Sequence, residues 1–126
     1  MTAKYTIVAR GNPQDTSAPK KYYPLVKSRG DVTLRRLAER IAEISTLSSI
    51  DIVAALEALL TIIPQELAGG NIVRLGDFGA FSLRIRSTGS DTEEEVSAHN
   101  ITTARAIFRP GKHFKAALDN IDFEKA

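Results

Sequence analysis

Arg84 and Arg86 stand two residues apart in Phe81-Ser82-Leu83-Arg84-Ile85-Arg86, a segment in which apolar and polar residues alternate. In a β-strand that spacing puts both guanidinium groups on one face and Phe81, Leu83 and Ile85 on the other. A planar guanidinium suits phosphate oxygens, and an array of cations gains further because each neutralised phosphate releases condensed counterions. Taken alone, the pair could equally be a solvated outer face. Arg105, Arg109, Lys112 and Lys115 follow in the same part of the chain and shift the balance toward an anion-binding array.

Other residues capable of chemistry point nowhere specific. Asp77-Phe78-Gly79 matches the magnesium-binding tripeptide of protein kinases. The chain has neither a glycine-rich nucleotide loop nor a catalytic-loop motif, so the tripeptide is read as a hairpin turn. His99 and His113 lack neighbours at metal-ligand spacing, and no nucleophile stands beside either in a known motif. Asp91, Glu93, Glu94 and Glu95 lack the alternating ligands, turn glycine and closing glutamate of a calcium loop, which leaves a solvated acidic loop. With no cysteine, disulfides, thiolate metal sites and cysteine nucleophiles are excluded. The expectation is a protein that is not an enzyme, with no metal, no cofactor and no small-molecule substrate.

The 126 residues, 43% hydrophobic and 25% charged, suit one globular domain. The first residues lack a signal-peptide h-region and no apolar run approaches a membrane span, so a cytoplasmic location with no membrane partner is expected. A net charge of only +2 conceals strong local patches. Residues 1–31 carry six Lys/Arg against Asp15 and Asp31, whereas residues 32–70 set Arg35, Arg36 and Arg40 against five carboxylates.

The elements that must position these groups follow from periodicity. Tyr5–Ala9 and Lys21–Val26 are β-prone and form a loose hairpin across Asn12-Pro13 and Pro19, with Pro24 placing the second strand at an edge. Leu34, Leu37, Ala38, Ile41 and Ala42 mark an amphipathic helix after a Thr33 cap. Ser48 with Asp51 opens a second helix, apolar at Ile52, Leu56, Leu59, Leu60, Ile63 and Leu67. Ile50, Val53, Ala54, Ala55, Ala58 and Ile62 widen its stripe until little polar surface remains, which predicts burial against two surfaces and hints at a partner subunit. Pro64 should kink or shorten it, and Gly69-Gly70 should end it. Val73 and Leu75, the turn at Gly76–Gly79 and the alternating strand beyond form a hairpin. Ser87–Thr103 is a polar arm, Ala104–Phe108 a returning strand, and Gly111 starts a short helix with Phe114, Ala117 and Leu118 toward the core.

This order, together with Gly70-Asn71-Ile72-Val73-Arg74-Leu75-Gly76-Asp77-Phe78-Gly79-Ala80-Phe81 and Phe108-Arg109-Pro110-Gly111-Lys112, resembles the HU and integration host factor family of bacterial histone-like proteins. The likeness covers roughly Val32 to Leu118, and the N-terminal strand pair resembles that of an extended subgroup. It implies an α+β fold: two N-terminal helices, a three-stranded antiparallel sheet with a protruding arm, and a short C-terminal helix, preceded by an extra β-hairpin. It divides the chain into a hairpin extension (1–31), an HU-like DNA-binding domain (32–119, arm about 87–103) and a tail (120–126). It implies an intertwined homodimer, or a heterodimer with a paralogue, whose core includes Leu56, Leu60, Phe78, Phe81 and Phe108. Double-stranded DNA is the implied partner in the nucleoid, bound in a sequence-tolerant way mainly by phosphate contacts from Arg84, Arg86, Arg105, Arg109, Lys112 and Lys115.

Two departures from the family pattern stand out. The usual arm is basic, with an arginine-asparagine-proline tip whose proline wedges between base steps. Here residues 88–103 contain no Lys, Arg or Pro, and Asp77 replaces a hairpin glycine. The alternative expectation is an HU scaffold turned protein-interaction module through its acidic arm.

Overall fold

The computed structural model describes all residues, 1–126. They form two compact units, one of residues Leu34–Ala117 and one of Met1–Thr33 with Leu118–Ala126.

In the central unit, α1 (Leu34–Glu43) packs on α2 (Ser49–Ala68). Ser48 caps α2 as its sequence predicts, its hydroxyl accepting the Asp51 N–H at 3.2 Å. Replacing it with alanine leaves one helix-end donor unsatisfied, and Ser48→Ala is expected to cost about 1 kcal/mol, read as a lower denaturant midpoint at unchanged slope. The far end closes on glycine. The Asn71 N–H reaches the Glu66 carbonyl and the Gly70 N–H that of Leu67, a Schellman pair that needs the left-handed Gly70 at φ +87°.

Pro64 lies inside α2 without shortening it, since the helix runs through it to Ala68. Its missing N–H takes one hydrogen bond out of the helix, that to the Leu60 carbonyl.

A three-stranded antiparallel sheet, in the order β3-β4-β5, follows from β3 (Val73–Arg74), β4 (Gly79–Ser87) and β5 (Ile101–Pro110). β3 and β4 pack against α2. Between β3 and β4, Gly76–Phe78 makes one 3₁₀ turn with Gly76 at φ +56°. The chain then comes close to itself. The Gly111 N–H donates to the Phe78 carbonyl at 2.8 Å, and a Cβ on Gly111 would lie 2.3 Å from the Asp77 carbonyl oxygen. Gly79 is similarly confined, at φ +153° against the Arg109 carbonyl and the Phe108 ring.

The short helix α3 (Lys112–Leu118) adds Phe114 to a cluster with Phe78, Phe81 and Phe108, whose ring centroids stand 4.9–5.6 Å apart. Edge-to-face and tilted packing of this kind adds to the burial of the rings. Ala117 and Leu118, expected in the core, are exposed in the single chain, leaving Phe114 as the covered position of α3.

The second unit is a sheet ordered β2-β1-β6, from β1 (Thr2–Arg10), β2 (Lys21–Lys27) and β6 (Asp122–Lys125). β1 and β2 are antiparallel, with Pro24 on the edge strand as its missing donor requires. Their connection holds Asn12 and Asp15 turns. The Ser17 hydroxyl and N–H both donate to the Asp15 carboxylate and hold its pKa below the ordinary value.

Residues 122–125, expected as part of a tail, are a strand instead. β6 lies parallel to β1 from Thr2↔Asp122 to Tyr5↔Lys125. Its single apolar residue, Phe123 among Asp122, Glu124 and Lys125, gives too little alternation to reveal a strand. The pairing comes from the open edge of β1.

Candidate nucleic-acid interface

Side chains directly opposite each other in an antiparallel ladder share a face, so the register fixes which cations meet. Arg84 lies opposite Arg105, Arg86 opposite Thr103, Ser82 opposite Ile107, and Ala80 opposite Arg109. Arg84, Arg86, Arg105 and Arg109 therefore stand on one face. Phe81, Leu83 and Ile85, with their partners Phe108, Ala106 and Ala104, take the other.

The same register adds a residue that sequence alone missed. Arg74 pairs with Ala80, the residue also opposite Arg109, so Arg74 joins the four arginines. Only the pairing shows this, because β3 is two residues long and too short to display an alternation of its own. At about 3.3 Å per residue, Arg84 lies roughly 13 Å along β4 from the Arg74–Ala80–Arg109 row. The face thus carries cations at both ends.

No carboxylate pairs with any of these five arginines, since the one ion pair within the chain joins Arg36 to Glu39 at 3.3 Å on α1. Arg84 and Arg105 are held directly across the ladder from each other with nothing in between to compensate. Like charges in that position cost about 0.2–1 kcal/mol. Arg84, Arg86, Thr103 and Arg105 line one shallow depression.

Lys112 and Lys115 are exposed on α3, one turn apart, and no strand register ties them to the arginine face. The connection from β4 to β5, residues 88–100, contains two 3₁₀ turns, Glu93–Glu95 and Ala98–Asn100. Asn100 ties its base, donating to the Thr88 carbonyl at 2.9 Å and the Ser90 hydroxyl at 2.8 Å. Residues 101–103, expected within the arm, already belong to β5; Ile101, Thr102 and Thr103 are all β-branched, a signal present in the sequence. No three His, Asp or Glu side chains converge anywhere in the chain, and no helix is long and apolar enough to cross a membrane.

Of the five residues expected in a dimer core, Phe78, Phe81 and Phe108 meet in the aromatic cluster. Leu56 and Leu60 lie on α2, with Leu60 57% exposed.

A helix pair packed on a three-stranded sheet, with a long β4–β5 connection and a cationic outer face, defines the histone-like class of small α+β folds. The chain matches the HU-HIG family, described as an HU domain fused to wHTH, Ig, or glycine-rich motif, over residues 1–125, and it belongs to that family, within the wider HU and integration host factor group. It is 37% identical over 83 residues to DNA-binding protein HU of Buchnera aphidicola, covering 64% of this chain and 90% of that protein. It is 34% identical over 102 residues to the integration host factor subunit alpha of Aliivibrio fischeri, covering 75% and 98%.

Among solved structures, a putative DNA-binding protein from Bacteroides vulgatus superposes with a TM-score of 0.68 at 11% identity over 98% of this chain. The chain spans 47% of that protein's length. The Anabaena HU–DNA cocrystal structure superposes with a TM-score of 0.56 at 23% identity, covering 71% of this chain and 99% of that one. Both share the fold.

Proposed function

We propose that the chain is a nucleoid-associated, sequence-tolerant binder of double-stranded DNA that works as a homodimer through phosphate contacts. The observation that carries this is the uncompensated Arg84–Arg105 pair with Arg86 and Arg109 on the same face. A like-charge pair without a carboxylate is stabilised once an anion sits between its members, and duplex DNA supplies a closely spaced row of anions. Arg74 belongs to the same surface, and Lys112 and Lys115 extend it. The names of the curated relatives and of the HU–DNA cocrystal fit the same ligand. We assign these side chains to phosphates, contacts that position a protein on the duplex and carry no sequence information directly.

The dimer rests on apolar surface left open in one chain. α2 has little polar surface, yet Ile50 is 80% and Ile62 50% exposed. The buried hydrophobic side chains are Ala38, Ile52 and Leu67. The chain exposes 10783 Å², whereas two self-contained bodies of these sizes would expose roughly 8000 Å². A second copy would cover the part of that excess that lies on α2 and the aromatic cluster.

Titrating a labelled random-sequence duplex over a range of salt concentrations tests the function. Log K is expected to fall linearly with log salt at about 0.9 per phosphate neutralised. Absence of binding at low salt, or binding indifferent to salt, overturns it, and sedimentation at twice the chain mass checks the dimer.

A further inference from the structure

We propose that the N-terminal sheet carries a second duplex-DNA contact face, built from Lys4, Arg10, Lys21 and Lys27. The inference rests on the DNA-binding function proposed above but uses none of the same residues. Together β1 and β2 contain these four cations and no carboxylate. Their register sets Lys4 opposite Lys27 and Arg10 opposite Lys21, with Thr6–Leu25 and Val8–Tyr23 between, so all four charges share one face. The reverse face takes Tyr5, Ile7, Pro24, Val26 and Tyr22. The reverse face of β1 and β2 thus carries no charge, and both sides are open: Leu25 is 48% exposed on the charged side and Val26 64% on the other.

Two like-charge pairs lie directly across the same ladder, and neither has an ion-pair partner. This repeats the arrangement of Arg84 and Arg105. β6 alters this at one end: Glu124 pairs in register with Lys4 and Asp122 with Thr2, which puts two carboxylates on the charged face, and Lys125, opposite Tyr5, stands on the reverse face. The excess is therefore greatest toward Arg10 and Lys21, where Lys20 adjoins. The two pairs are six residues apart on β1, roughly 20 Å, which matches the rise of about six base pairs of duplex. An extended row of phosphates suits that spacing better than any single small anion.

The test compares the full chain with a variant carrying Lys4→Ala, Arg10→Ala, Lys21→Ala and Lys27→Ala and a second carrying Arg84→Ala and Arg86→Ala. All the replaced side chains are exposed, and a thermal melt checks that each variant folds. In the salt titration the four-site variant is expected to lose up to about 3.6 units of slope per chain, at 0.9 per phosphate contact, and to bind at least tenfold more weakly at low salt. Duplex fixed to beads, challenged with a second labelled duplex, then separates two sources of the phosphates: capture abolished in the four-site variant means that the face takes a different duplex, and no capture by any form means that it lengthens contact with the same one. Unchanged affinity and slope in a folded four-site variant overturn the inference, and the proposed function stands if Arg84→Ala with Arg86→Ala still weakens binding. The converse pattern, weaker binding only in the four-site variant, overturns the arginine face and leaves the sheet as the binding surface.

Discussion

Gly111→Ala is expected to lower stability by about 3 kcal/mol, the upper end of the range for forcing an atom into packed structure. The added Cβ would lie 2.3 Å from the Asp77 carbonyl oxygen and 2.7 Å from its carbon. Both are backbone atoms, so no side chain can swing aside. The Gly111–Phe78 hydrogen bond holds the two segments at that separation, and relief must come from breaking it or from moving the 3₁₀ turn that seats Phe78 in the aromatic cluster. For a unit of this size the loss amounts to a melting temperature roughly 12–24 °C lower. Gly89→Ala is the control: nothing lies within 4 Å of its Cβ position, and its melt is expected to stay within about 0.5 kcal/mol of the parent. Equal melts for the two variants would show that the close approach does not matter.

Arg84→Ala, Arg86→Ala and Arg105→Ala combined should separate stability from binding. Removing the facing arginines relieves like-charge repulsion, so the melt is expected to hold or rise by the equivalent of up to about 1 kcal/mol. Duplex binding should move the other way. Without these three cationic side chains the salt slope falls by about 2.7 units per chain, and near 0.1 M salt the affinity falls by on the order of a hundredfold or more. Calorimetry and the duplex titration on one sample check both. A variant that melts earlier and binds as before would mean that these arginines serve the fold alone.

Much of the fold and of the arginine face is legible in the sequence because it depends on local periodicity. The paired arginines announce their face through a strict alternation over six residues, and the helices announce theirs through three- and four-residue spacing with a serine cap. What escapes depends on which strands pair, and in what register, rather than on periodicity within one. Arg74 becomes part of the cationic face only when β3 pairs with β4, and β6 exists only because β1 offers an open edge. The shortening expected at Pro64 does not occur, because the helix continues for one further turn to Ala68. The excess apolar surface of α2 is readable as composition, but composition does not say whether the covering element is the same chain or another.

The parallel pairing of β6 with β1 also bears on how the molecule forms. Thr2 pairs with Asp122, so this contact joins residues widely separated in sequence. Long-range pairings of this sort form slowly, because the loop between them must first be closed. During synthesis the β1–β2 ribbon emerges well before β6, and a two-stranded hairpin on its own is marginally stable. It stays unfinished until translation has passed Lys125. The central unit can fold in the meantime, and hydrogen exchange after refolding should find the amides of β6 among the last to gain protection.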